Sequence, residues 1–177
     1  MLIRKAAADD IEAVAEIYSN IHTAEENGLV TIGWIRDVYP TAETAKQALL
    51  RGDLFVMEDN GIIVGTAIIN KTQVDSYKNA RWNHPAPDDK VMVLHTLVIS
   101  PKASRKGYGK NFVAFYEQYA CQNGCPYLRM DTNAKNTRAR NMYQKLGYEE
   151  IGIVPCSFNG IDGVNLVLLE KLLPDNI

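Results

Sequence analysis

Three groups of residues have types and spacings that allow chemistry. The first, Ser104-Arg105-Lys106-Gly107-Tyr108-Gly109-Lys110, places two glycines and three cations directly ahead of a helix-forming run. A glycine turn at a helix N-terminus leaves backbone N–H groups unpaired, with the helix dipole behind them, and such a nest favours phosphate. A plain tight turn would use the same glycines. The second is His95, in the apolar run Val91 to Ile99. Its side chain titrates near neutral pH and could accept a proton, although a hydrogen-bonded core histidine would keep the same company. The third is Asn136, Ala139 and Tyr143, spaced i, i+3, i+7 on one helix face. A phenol is protonated at pH 7 and can donate to a departing anion; packing against Met142 and Leu146 would produce the same spacing.

Two nucleotide motifs fail against the turn. A dinucleotide fingerprint starting at Gly107 needs glycine at position 112, which is Phe112. A P-loop needs Ser or Thr after Gly109-Lys110 and a glycine five residues before Gly109, and neither is present. Kinase-like and dehydrogenase chemistry are therefore unsupported.

The elements that must position these groups follow from periodicity and turn residues. Leu2 to Ala6 predicts a strand, and Asp9 or Asp10 caps a helix with Ile11, Val14, Ile17, Tyr18 and Ile21 on its apolar stripe. Thr41 to Leu50 predicts a helix closed by Gly52. Leu54 to Glu58 and Ile62 to Asn70, joined by Asp59-Asn60-Gly61, predict a hairpin. Lys71 to Lys90 has no period and forms the longest irregular segment. Val91 to Ile99 is almost wholly apolar and predicts a central strand buried on both faces. A helix from Arg105 to about Asn123, a strand from Tyr127 to Asp131, a helix from Lys135 to Leu146 and strands at Tyr148 to Ile153 and Val164 to Leu169 complete one mixed α/β domain.

Composition excludes other classes. The chain has 177 residues, 46% hydrophobic and 23% charged, which suits one packed core without disulfide or metal staples. Net charge is −2, so no nucleic-acid or anionic-membrane footprint covers the whole protein. Lys102 to Lys145 holds nine basic and two acidic residues, a local +7 that leaves −9 elsewhere and suggests a confined anion site. Cys121, Cys125 and Cys156 have neither disulfide-framework nor zinc spacing, and no run reaches the ~20 apolar residues of a membrane span, so a cytoplasmic location is expected.

The strand Leu94-His95-Thr96-Leu97-Val98-Ile99-Ser100-Pro101, the turn after it and the following helix resemble motif A of the GNAT superfamily, the acyl-CoA-dependent N-acyltransferases. Asn136 to Tyr148 (NTRARNMYQKLGY) resembles its motif B. The motifs span Val91 to Tyr148, and element order extends the likeness to nearly the whole chain. The resemblance implies a single N-acetyltransferase domain over residues 1–177 with the α/β GNAT fold: a mixed central sheet of six to seven strands, about four flanking helices, and splayed central strands.

It also implies acetyl-CoA as co-substrate, with no metal. Its diphosphate would lie on the turn Ser104, Arg105, Lys106, Gly107, Tyr108, Gly109 and Lys110, and its pantetheine along the main chain of Leu97, Val98 and Ile99, with Asn136, the small Ala139 and Tyr143 beside it. Ser104 stands where the family usually has Arg or Gln, and Arg105 where glycine is frequent, so affinity should change while main-chain binding persists. Tyr143 is the implied general acid. For the base, His95 matches the arylalkylamine branch and Asp131 the ribosomal-protein acetyltransferases, while Val93 replaces the glutamate of histone-acetylating relatives. The acceptor is expected to be a primary amine of a small molecule or peptide, attacking directly in a ternary complex; a non-catalytic acyl-CoA-binding regulatory module is the alternative. The first helices and the Lys71 to Lys90 segment should line the acceptor side, where Tyr18, His22, Glu25, Glu26, Trp34, Tyr39, Tyr77 and Trp82 offer groups suited to a cation. Neither nucleic acid nor membrane is expected as a partner, and a homodimer is left open.

Overall fold

Asn60 and Gly61 both adopt left-handed backbone, φ 52° and 78°, as a two-residue primed hairpin turn demands. They join β2 (Leu54–Asp59) to β3 (Ile62–Asn70), with Asp59 opposite Ile62. Asn159 and Gly160, φ 52° and 77°, make the same turn between β6 (Glu149–Phe158) and β7 (Ile161–Leu172). This second asparagine–glycine pair lets both strands run to the turn, well beyond the expected Ile153 and Val164. The computed structural model describes residues 1–78, 80–104 and 106–174.

With β1 (Leu2–Lys5), β4 (Val91–Ile99) and β5 (Tyr127–Asn133), these strands form one seven-stranded sheet in the order β1-β2-β3-β4-β5-β7-β6. Only β4 and β5 pair in parallel, so the sheet is mixed. Four α-helices flank it among the described residues: α1 (Ile11–Glu26), α2 (Ala42–Arg51), α3 (Tyr108–Gln122) and α4 (Thr137–Lys145).

Strand alternation assigns the two faces. Leu54 and Val56 pack with Val14, Ile17, Ala45 and Ala48 of α1 and α2, whereas Phe55 and Met57 join Phe112, Val113 and Tyr116 of α3 on the opposite side. Burying each such large side chain contributes roughly 1.5–3 kcal/mol, so both helix layers hold the sheet firmly.

Three expected boundaries shift for local reasons. Asp10 does not cap α1 directly: its carboxylate accepts from Ala7 N at 2.7 Å and from Arg4 at 2.7 and 3.0 Å, fixing a 3₁₀ turn at Ala8–Asp10 before the helix. α3 begins at Tyr108, not Arg105, because Gly107 at φ 79° interrupts helical geometry. α4 begins at Thr137 because Asn136 serves as its N-cap.

β4 departs from the expectation of burial on both faces along its whole length, and it shows the splay that the resemblance implies. Val91 to Leu94 are buried on both faces as expected, but His95, Thr96, Leu97 and Ile99 are partly exposed. Parallel pairing with β5 runs only from Val91↔Tyr127 to Leu94↔Met130, and beyond it the two strands diverge.

Candidate active site

The divergence of β4 from β5 has a local cause. Against β3, Ile68 opposes His95 but Thr66 opposes Val98, so three residue steps on β4 match two on β3. The extra residue is a β-bulge, and Thr96 within it has φ 49°, an outlier for a β-branched side chain. From His95 to Ile99 the strand keeps β3 as neighbour on one edge and faces a wedge on the other. Leu97, Val98 and Ile99 therefore offer main-chain groups along that wedge, suited to an extended, amide-bearing chain.

At the far end of β4, Gly107 opens α3 from its left-handed conformation. The first in-helix bond runs from Asn111 N to Gly107 O at 3.1 Å, leaving the amides of Tyr108, Gly109 and Lys110 without helical acceptors. No acidic residue stands in that first turn. Ser104 N bonds Pro101 O at 3.3 Å, which shapes the approach. Tyr108 offers only its main chain to the turn, since its side chain is buried and donates to Asp59 Oδ2 at 2.6 Å. A Cβ on Gly109 would lie 3.1 Å from Met142 Sδ, so glycine there also lets α3 approach α4. Lys106 lies 5.9 Å from the Tyr108 ring centroid. Arg105 lies outside the described residues. These features fit a diphosphate on backbone amides with cations nearby.

Between the wedge and helices α1, α2 and α4 lies a cavity of about 510 Å³ that brings together His95, Leu97, Val98, Asp131, Asn136, Ala139 and Tyr143. Tyr143 is buried, with its ring edge-on to Tyr148 at 5.9 Å. Burial, and secondarily the Asp131 charge, hold its phenol well above the usual range, so it stays protonated. Burial also pushes the Asp131 carboxyl up to about 6, although the Tyr77 hydroxyl donates to its Oδ2 at 2.6 Å and works the other way. Asn136 uses Oδ1 to accept from Ala139 N at 3.1 Å, which leaves its amide nitrogen able to donate toward a ligand carbonyl.

His95 is held by a chain of side chains. Asn70 Nδ2 donates to Asp53 Oδ2 at 2.8 Å, and Asn70 Oδ1 accepts from Thr72 N at 2.8 Å. Both contacts fix the amide orientation, so His95 Nε2, 3.1 Å from Asn70 Oδ1, carries a proton and donates it. Burial pushes the ring pKa down to about 4, and the imidazole is uncharged at neutral pH.

The acceptor side is built differently from expectation. Trp34 and Tyr39 do line the cavity, stacked edge-on at 6.0 Å, and the Tyr39 hydroxyl hydrogen-bonds Thr96 Oγ1. Tyr18 is a core residue, and His22 Nε2 bonds Pro40 O at 2.9 Å. Glu25 accepts from Ile32 N and Gly33 N at 2.6 and 2.9 Å, and Glu26 pairs with Arg36 at 2.7 Å. Tyr77 sits behind Asp131, while Trp82 stacks on the Arg129 guanidinium at 4.0 Å. Among the described residues of the irregular 71–90 segment, only Thr72 and Val74 reach the cavity. Asn70, Gln47, Thr96 and the β6–β7 turn with Phe158 and Asn159 also line the cavity, though none is among the site residues expected from sequence; for the turn, Asn159-Gly160 is a hairpin signal in the sequence.

The basic window resolves into separate contacts. Arg129 is buried, Arg140 pairs with Glu150 at 2.7 Å and Lys102 with Glu16 at 2.9 Å, while Lys106 and Lys110 stay at the turn. The three cysteines are not joined in disulfides and none lines the cavity. Among the described residues no group of three or more His, Cys, Asp or Glu is placed to hold a metal, and no helix is long and apolar enough to cross a membrane.

Comparison with known proteins adds to this geometry. The model of the acetyltransferase (GNAT) family matches residues 12–148. The uncharacterized N-acetyltransferase YhfO of Bacillus subtilis (strain 168) is 26% identical over 150 residues, covering 85% of this chain and 91% of its own. A GNAT-family acetyltransferase structure from Streptococcus agalactiae 2603 superposes with a TM-score of 0.80 at 22% identity, covering 98% of this chain and 96% of that one. The structure of yncA, a putative acetyltransferase from Salmonella typhimurium with its cofactor acetyl-CoA, gives 0.71 at 17% identity, covering 100% and 96%.

Proposed function

The chain belongs to the GNAT family of acetyltransferases, enzymes that use acetyl-CoA, and from that premise we propose that it acetylates a primary amine of a small molecule or peptide by direct attack in a ternary complex. The observation that carries the proposal is one cavity that joins the open edge of bulged β4 to the Asp131 carboxyl and the Tyr143 phenol. Acetyl-CoA supplies a thioester. Everything else is done by side chains and main chain of this protein.

The amides that open α3 hold the diphosphate, and the free edge of Leu97 to Ile99 with the Asn136 amide aligns the pantetheine so that the thioester lies near Tyr143. Alignment of two reactants in this way supplies a large part of such a rate enhancement. An alkyl ammonium titrates near 10.4, so a base must relieve it of a proton. Asp131, with a carboxyl poised at about 6 and open to the cavity, takes that proton directly or through water. As the C–N bond forms and the C–S bond breaks, the Tyr143 hydroxyl gives its proton to the departing thiolate sulfur, and the extra proton on the acylated nitrogen returns through water to the phenolate oxygen, leaving a neutral amide and a protonated Tyr143. His95 donates through Nε2 to Asn70 and holds the acceptor side of the wall in an uncharged state.

The test is thiol release. Protein, acetyl-CoA and a panel of primary amines should yield free coenzyme A at a rate set by the amine. Tight coenzyme A binding with no amine-dependent release would favour a regulatory acyl-CoA-binding module, and displacement by ATP but not desulfo-CoA would favour a different phosphate-binding protein.

A further inference from the structure

We infer that the acceptor is a monoamine whose remaining groups are uncharged or anionic, and that polyamines and polycationic amino sugars are disfavoured. This deepens the proposed amine acetylation and rests on it for the identity of the site.

Among the described residues that line the cavity, Asp131 is the only carboxylate and Arg51 the only permanent cation. His95 adds no charge at neutral pH. The acidic residues that the sequence offers for a cation are engaged elsewhere: Glu25 by two backbone amides, Glu26 by Arg36. Asp53 stands behind the wall, 8% exposed, bound by Arg51 at 2.9 and 3.1 Å and by Asn70 at 2.8 Å. The rest of the acceptor side is aromatic or neutral, with Trp34, Phe158, Thr44, Gln47 and Asn159.

An ammonium drawn out of water into such a wall needs a partner charge, because neutral amides and aromatic rings return only part of its lost hydration. Asp131 serves the amine that reacts. A second ammonium on the same molecule meets no carboxylate and does meet Arg51. The Arg51 pair with Asp53 uses Nε and Nη2, which leaves Nη1 outside that pair and able to meet an anionic or carbonyl group of the acceptor. The nearest outer carboxylate, Glu43, is exposed, stands one turn from Gln47 and accepts from its Nε2 at 2.6 Å, outside the cavity lining; acidic residues farther out do not substitute, since exposed charges are screened beyond about 8 Å at physiological ionic strength.

Two measurements on the full chain test this. Thiol release from acetyl-CoA is compared for monoamines (amino acids, amino-acid amides, tyramine) and polycations (putrescine, spermidine, kanamycin), and binding of the same amines is measured on protein saturated with desulfo-CoA. The expected result is a preference for monoamines of at least about tenfold in kcat/KM and in affinity. Gln47→Glu, which adds a carboxylate to the exposed face of α2 at the cavity, should narrow that preference by about fivefold or more. Binding or turnover of polycations equal to or better than that of monoamines overturns the inference, and so does a panel in which neither class binds. Selective monoamine binding without thiol release leaves the charge selectivity standing and refutes the transfer.

Discussion

The Tyr39 hydroxyl hydrogen-bonds Thr96 Oγ1, tying the segment after α1 to the one residue of β4 that sits in the left-handed region. A β-branched residue at φ 49° is held against a cost of about 1–2 kcal/mol, so something must fix it. Tyr39 and Thr96 both line the cavity, Thr96 in the bulge that opens the wedge, so one contact couples two of its walls.

The tie makes Tyr39 a positioning residue for the bulge. Tyr39→Phe is expected to lower kcat/KM for acetyl-CoA about five- to twentyfold, because the main chain after Thr96 is no longer held in place. Thr96→Gly removes both the hydroxyl and the conformational cost, so Tyr39→Phe should have little further effect in that background. The four variants of this double-mutant cycle measure the coupling, and additive losses would remove the tie from the mechanism.

Tyr143→Phe keeps the ring and its packing against Tyr148 and deletes only the proton donor. We expect kcat to fall tenfold or more while coenzyme A affinity changes by less than about twofold. Because the phenol is held above its ordinary range, wild-type activity should show no alkaline limb near pH 10 from this group. Turnover equal to wild type across the pH range would exclude Tyr143 as the acid.

Gly107→Ala tests the diphosphate cradle. Among the described residues, chain neighbours aside, no atom lies within 4 Å of the Cβ that would be added, so the substitution acts chiefly through φ 79° and should cost about 1 kcal/mol of stability. The strain falls on the amides that open α3. Acetyl-CoA Kd should rise several-fold while the KM of the amine stays within about twofold. An unchanged Kd would place the diphosphate elsewhere.

What was legible in the sequence was local in the chain. Gly52 at φ 74° closes α2, Asn60-Gly61 turns the β2–β3 hairpin and Gly107 opens α3, each because a backbone conformation is written into one or two residue types. The family resemblance, with the helical spacing of Asn136, Ala139 and Tyr143, pointed to five residues, His95, Asp131, Asn136, Ala139 and Tyr143, that line one cavity. What escaped depends on pairing across the fold. Asp53, Asn70 and His95 form their chain over 17 and 25 residues, and Tyr39 reaches Thr96 over 57. Glu25 appeared available to a substrate cation because nothing local shows that residues 32 and 33 fold back onto its carboxylate. The bulge leaves no trace in the largely apolar run of β4, since each of those side chains fits a straight strand as well, and only the family resemblance implied that the strand splays.

Asp131 should set both the acid limb of activity and a pH-dependent cost of stability. Its folded pKa of about 6 exceeds the ordinary 3.8, so the native state binds the proton more tightly than the unfolded chain does. The favourable contribution is present below about pH 4 and is lost as pH rises through about 6, when a carboxylate must be kept partly buried. Catalysis has the opposite sign, since only the carboxylate accepts a proton. kcat/KM should therefore fall as pH drops through about 6. Asp131→Asn should remove most of the activity and that limb, yet stabilise the protein at pH 8 by about 1–2 kcal/mol, because an amide can still accept the Tyr77 hydroxyl without a charge. The gain should fade toward pH 4, as followed by thermal unfolding. His95, with its pKa near 4, should leave the limb in place when changed to Ala. If His95→Ala abolishes the limb and Asp131→Asn does not, the base is the histidine.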